Sequence, residues 1–205
     1  MTKIYNISEQ SGRSMVEMLG VLAIVGVLSI GGISGYSKAM AKYKVNKTID
    51  QVSMLITNIR IAYGNQNSYK DISNQKLVDY ELVSNDITQG ATDGTFYNPY
   101  AGTITVTPTD VSGTACKTGQ CPAFSITYTN LDRQACAAIA SSDWGGSASS
   151  GLLSISITAG SKTAKHDWTT GNANDPAKRL PIDFNQAMTD CGTFSTQSSI
   201  TWVYY

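Results

Sequence analysis

This chain of 205 residues has one histidine, His166, and no excess of either charge, with 15 lysines and arginines against 15 aspartates and glutamates. A single histidine leaves the many serines with almost no candidate base, and no nucleophile-elbow or phosphate-loop pattern surrounds them. It also argues against a metal centre, because the four cysteines lack the spacing of a zinc site. A zero net charge removes the bulk attraction that nucleic acid exerts on basic proteins. The expectation is therefore no catalytic set, no cofactor and no metal. His166, in Lys165-His166-Asp167-Trp168, reads as a surface residue, and Trp144, Trp168, Tyr204 and Tyr205 read as core or subunit contacts.

What the chain does have is a long apolar run, residues 16–33, interrupted by one acid, Glu17, and one hydroxyl, Ser29. A spanning helix needs about 20 apolar residues, which this run just reaches. A carboxylate within such a segment costs roughly 2.5–3.5 kcal/mol on insertion scales, so a partner for Glu17 is expected. A secretory signal is cut after its apolar core. Here the plausible cut lies before it, at Gly12, which would leave the helix on the mature chain. The new amine of Arg13 would stand close to Glu17, and Glu17 of one chain could pair with the amine of its neighbour.

Lys38, Lys42, Lys44 and Lys47 then mark a change to water. By charge alone they would favour the cytoplasmic side. They read as a solvated helix face, or as partners for acids on a neighbouring subunit. Val45, Ile49, Val52, Ile56, Ile59 and Tyr63 follow at steps of four and three, one stripe of an amphipathic helix. Residues 14–63 thus read as one helix of about 75 Å, ended by Gly64 and Asn65. Its first half is apolar all round and needs lipid or copies of itself. Glycines 20, 26, 31, 32 and 35 each cost about 1 kcal/mol relative to alanine in a helix. They read as close-packing positions, or as a stretch that unwinds on assembly.

Residues 65–205 have the size of one ordinary domain and are rich in Ser, Thr, Gly and Asn. Strands are expected at 102–107, 123–129, 152–158 and 199–205. Their inward residues would be Ile104 and Val106; Phe124, Ile126 and Tyr128; Leu153, Ile155 and Ile157; and Ile200, Trp202 and Tyr204. Short helices are expected at 131–140, with Asn130 as N-cap, and at 183–189 after Pro181. The fold class is α+β, an antiparallel sheet lying on the stripe of the long helix. Residues 142–151 read as a flexible loop and a candidate outward contact. Cys116, Cys121, Cys136 and Cys191 all fall in this domain and suggest disulfides. Of the three pairings possible, Cys116 with Cys121 closes a short loop easily, and Cys136 would then join Cys191.

The N-terminal pattern resembles that of the type IV prepilins. Gly12 matches the glycine before the prepilin peptidase cut and Glu17 the glutamate at the fifth mature position. Val21, Ala23, Ile24, Gly26 and Leu28 fit the apolar stretch that follows. Arg13 departs from the Phe that begins most type IVa pilins; type IVb members are more varied there. N-methylation of the new terminus comes with the resemblance. Type IVb pilins also bracket their C-terminal region with a disulfide, from a helix to just before the last strand. Ala135-Cys136-Ala137 and Asp190-Cys191 fit those two positions, and Asn98-Pro99-Tyr100-Ala101-Gly102 is similar to a turn in some members.

The resemblance implies a leader at 1–12, a helix at 13–64 (15–33 in the membrane, 34–64 amphipathic) and a head at 65–205 whose 136–191 region is bounded by cysteines. The function implied is that of a major type IVb pilin subunit. Its partners would be copies of itself, the prepilin peptidase and the inner-membrane assembly machinery. It would lie in the bacterial inner membrane before assembly and in an extracellular filament afterwards. Prepilins export the globular part, which overrides the orientation suggested by the lysines. A secretion-system pseudopilin, a minor pilin or tip adhesin, and a membrane-anchored enzyme are the alternatives.

Overall fold

A computed structural model of the chain describes residues 15–66, 68–116, 118–145, 150–168, 175 and 178–205. Two compact units divide the chain, Met1–Lys42 and Tyr43–Tyr205, and helix α1 (Met15–Tyr63) runs through both. The described residues of the first unit are the N-terminal part of α1.

The second unit begins with the amphipathic part of α1. Its buried residues are Thr48, Gln51, Val52, Leu55, Ile56, Ile59 and Tyr63, with Val45 and Ile49 half-buried beside them. These are the expected stripe with Thr48, Gln51 and Leu55 added, because a helix face facing a sheet is wider than one line of residues. Then come α2 (Asn74–Asp79), α3 (Asn85–Thr88), β1 (Phe96–Tyr97), β2 (Thr103–Thr109), β3 (Ala123–Leu131), α4 (Arg133–Ala140), β4 (Leu152–Ala159), β5 (Lys162–Asp167), α5 (Phe184–Asp190) and β6 (Ser198–Tyr204). The strands form one antiparallel sheet in the order β1-β2-β3-β6-β4-β5.

Register explains the core. Val106 pairs with Ile126, Ile126 with Trp202, and Trp202 with Ile155, so one face carries an apolar row across four strands. Those residues join Val52, Leu55, Ile56 and Ile59 in one buried cluster. The opposite face is rich in hydroxyls, and Thr127 and Thr201 bond across strands at 2.9 Å. Alternating Ile, Val and aromatic residues with Thr therefore builds a sheet with one apolar face.

Three local expectations are corrected. On β4 it is Leu152 that is buried, at 1 % exposure, while Leu153 is only half-buried. A register shift between Leu152 and Ser154 moves the first inward position back by one residue. The N-cap of α4 is Asp132, whose carboxylate accepts from Ala135 N–H at 2.8 Å. Asn130 is still within β3; it has φ of 62° and its Nδ2 donates to the Tyr100 carbonyl at 2.7 Å. His166 is fully buried, not on the surface. It lies on β5, paired with Ile155, and its Nε2 is 2.9 Å from Asp190 Oδ2. β5 carries almost no apolar residues, so its inward side is occupied by a polar ring held by a carboxylate.

The turn at 98–102 is closed by Asn98. Its Oδ1 accepts from Tyr100 N–H at 2.8 Å and Gly102 N–H at 3.1 Å, and its Nδ2 donates to the Thr129 carbonyl at 2.7 Å. A Cβ at Gly102 would lie 2.0 Å from that same carbonyl oxygen, so only glycine lets the turn sit this close to β3.

Asp86, in the first turn of α3, fastens α3 to α1. Lys47 Nζ lies 2.6 Å from its Oδ2, Gln51 Nε2 donates to the same oxygen at 3.1 Å, and Ser84 Oγ bonds Oδ1. Burial pushes the Asp86 carboxyl up, but the bonds from Lys47, Ser84 and Gln51 outweigh it and hold the carboxyl down at about 2. Its folded value is below its ordinary one, so its contribution is full above the ordinary value of 3.8 and is lost as pH falls through about 2. Water reaches about a third of each partner, which screens the pair. Asp86→Asn is therefore expected to destabilise the head by about 1 kcal/mol at pH 6. The gap between variant and wild type should close in chemical unfolding at pH 2.

Candidate functional site: the apolar half of the long helix

Residues 15–33 of α1 turn almost every apolar side chain outward. Val16, Leu19, Ile24, Val27, Leu28 and Ile30 are all more than 60 % exposed. The segment is long and apolar enough to cross a membrane, and none of its most apolar window is buried within the chain. Its one hydroxyl is satisfied internally, Ser29 Oγ donating to the Val25 carbonyl at 2.8 Å, and just beyond the segment Ser37 Oγ donates to the Ile33 carbonyl at 3.0 Å. Such back-bonding lets a hydroxyl sit among apolar groups without needing water. A Cβ added at Gly20, Gly26, Gly31, Gly32 or Gly35 would meet nothing within 4 Å. These glycines thus leave notches along a surface that none of the described residues fills, a feature that suits close approach of other helices.

Glu17 is the one acid of the segment and lies in the first turn of α1. The expected cleavage positions, Gly12 and Arg13, lie outside the described residues.

In the head, the structure pairs Cys136 with Cys191 and Cys116 with Cys121, each with Cα atoms 6.0 Å apart. Cys136 lies on α4 and Cys191 caps the C-terminal end of α5. The bridge thus encloses β4, β5 and α5, while β6, which follows it in sequence, pairs with β4. Beside the short loop, Cys121 N–H donates to Ser68 Oγ at 3.0 Å and its carbonyl accepts from Tyr69 N–H at 2.8 Å. The short loop thereby ties down the chain just after α1. Of the expected outward loop 142–151, residues 146–149 lie outside the described residues; Trp144 before them is buried, its Nε1 bonded to the Ile139 carbonyl at 2.8 Å.

Sequence reading overlooked the His166–Asp190 pair and the Lys47–Asp86 contact. The first arises in a strand without apolar alternation, the second between residues distant in sequence. Asp190 also accepts from Gln186 Nε2, at 3.0 and 3.1 Å, which makes the His166 pair a link between β5 and α5. Among the described residues no group of three or more His, Cys, Asp or Glu side chains could hold a metal ion.

A family model described as PilS N terminal matches residues 42–203. The major structural subunit of bundle-forming pilus from Escherichia coli O111:H- is 26 % identical over 203 residues, covering 98 % of each chain. The subunit of the same description from Escherichia coli O127:H6 is 26 % identical over 204 residues, again with 98 % of each covered. Among solved structures, the type IV b pilin from Salmonella typhi aligns with a TM-score of 0.50 at 21 % identity, over 78 % of this chain and 98 % of that one. That likeness concerns the fold: a long helix with an antiparallel sheet. With that model matched over most of its length, this chain belongs to the PilS family.

Proposed function

We propose that this chain is the precursor of the major structural subunit of a type IVb pilus. Prepilin peptidase cuts it after Gly12, so that Arg13 becomes the first residue. The apolar half of α1 holds the subunit in the inner membrane until the assembly machinery moves it into the filament. There the same surface packs against copies of itself, and the head faces outward. The domains are then the leader (1–12), the helix (13–64) and the head (65–205). Glu17 pairs with the Arg13 amine of a neighbouring subunit as the subunit joins. The chain is a structural protein, not an enzyme.

The observation that carries this reading is a helix whose first half exposes apolar side chains on every side around one carboxylate, in a family of pilins. Lipid and other helices are the two environments that accept such a surface. The two relatives described as major structural subunits support the major over the minor role. The test is Glu17→Ala, expressed in a host with its pilus assembly system. Membrane insertion should be unchanged and filament yield, counted by electron microscopy, should fall at least tenfold. Filaments of normal number and length from that variant would sink the pairing role.

A further inference from the structure

No acidic residue stands between Glu17 and Asp50, while Lys38, Lys42, Lys44 and Lys47 all do. The structure separates these lysines into two pairs. Lys44 Nζ lies 5.5 Å from the Tyr100 ring centroid and Lys47 Nζ 2.6 Å from Asp86, so both serve the head. Lys38 and Lys42 are exposed and have no partner among the described residues. They are four residues apart on a helix and share a face. Tyr36, just before them, is 67 % exposed.

Distance from the apolar segment shows what these side chains can meet. At about 1.5 Å of rise per residue, Lys38 lies roughly 7–8 Å and Lys42 roughly 13–14 Å past Ile33. The headgroup layer of a bilayer is roughly 5–8 Å thick on each side. Helical side chains lean toward the N-terminus, here back toward the bilayer, and a lysine stem is long and flexible. Both ammonium groups therefore reach the headgroup level. An exposed tyrosine at the same level is the residue type enriched at membrane interfaces. If the head is exported, these charges lie on the side that basic residues usually avoid, and a counter-charge there offsets that disadvantage.

We propose that Lys38 and Lys42, with Tyr36, form a docking surface for anionic phospholipid headgroups on the exported side of the membrane. The surface fixes the depth of the subunit before assembly and is released when the helix leaves the bilayer. This inference rests on the membrane-anchored subunit proposed above.

The full chain would be reconstituted in phosphatidylcholine vesicles carrying a trace of spin-labelled phosphatidylglycerol or spin-labelled phosphatidylcholine. Electron spin resonance then measures the fraction of each labelled lipid slowed by the protein. Each basic group near an anionic surface contributes a preference of roughly fivefold at low salt. The wild type should therefore hold phosphatidylglycerol at least fivefold over phosphatidylcholine, with most of that preference lost in 1 M salt. Lys38→Gln with Lys42→Gln should bring the preference close to one, whereas Lys38→Arg with Lys42→Arg and the single Lys44→Gln should keep it.

Equal holding of both lipids by an inserted wild type would overturn the proposal. So would a glutamine double variant that keeps the preference and instead lowers filament yield, which would assign the lysines to a second copy of the chain. A wild type that carbonate washes from the vesicles would instead refute membrane anchoring itself, and alkaline extraction before the resonance measurement separates that failure from the others.

Discussion

Replacing Cys136 and Cys191 together by alanine is expected to lower the unfolding free energy of the head by roughly 4 kcal/mol, the chain-entropy value for a loop of this length. The two cysteines are 55 residues apart, and the bridge ties α4 to the end of α5. Without it, the unfolded chain gains the freedom of the whole enclosed segment. Alanine is the appropriate replacement because both sites are fully buried, and serine would add an unsatisfied hydroxyl. Removing Cys116 and Cys121 the same way should cost less, roughly 2 kcal/mol, because their loop is short. A domain of ordinary stability has only about 5–15 kcal/mol in total, so the long bridge is worth a large share. Urea unfolding of the detergent-solubilised full chain, followed by tryptophan fluorescence, checks both values. Equal costs for the two pairs would show that the length of the enclosed loop does not decide the effect.

Trp202→Ala is expected to cost about 3–5 kcal/mol, the range for emptying a fully buried aromatic site. Trp202 is at the centre of the sheet, on β6 between β3 and β4. Its ring meets Tyr128 edge-on at 5.7 Å and Trp144 at 4.9 Å between centroids. Trp144 is held in turn by the Tyr204 hydroxyl, which donates to its carbonyl at 3.0 Å. Trp202→Phe should cost much less, because it keeps ring contacts and removes a buried Nε1 that has no hydrogen-bond partner among the described residues. The same unfolding measurement separates the two variants. A phenylalanine variant as unstable as the alanine one would mean that the indole nitrogen has a partner after all.

The legible parts of this chain were those with a repeated pattern. The apolar surface of the long helix and its later stripe could be read because an all-round apolar segment and a one-sided core face impose different periodicities on one helix. The four central strands could be read because one face is apolar and the other hydroxylic. The parts that escaped are short or unpatterned. β1 is two residues long, and α2 and α3 are six and four residues long, too short for any period to register. β5 offers Lys, Thr, Ala, Lys, His and Asp, with no apolar side to reveal it.

His166 was misread for the same reason. Residue type favours exposure for a histidine, but a strand at that position turns it inward, and Asp190 from α5 satisfies one ring nitrogen. The Asn130 assignment failed by two residues because β3 continues past an irregularity before Asp132 caps α4. In the membrane-facing part the sequence singles out Glu17 as the unusual residue. The separation of Lys38 and Lys42 from Lys44 and Lys47 is not legible in the sequence, since it depends on where the fold brings Asp86 and Tyr100.

The central claim is that the mature subunit begins with the apolar helix and carries a head closed by two bridges. The most direct measurement is the intact mass and N-terminal sequence of the membrane-extracted protein, before and after reduction, from a host with active prepilin peptidase. The account predicts a chain beginning at Arg13 that gains four hydrogens on reduction, two for each bridge. A chain still beginning at Met1, with free thiols, would contradict it and leave a plain anchored domain.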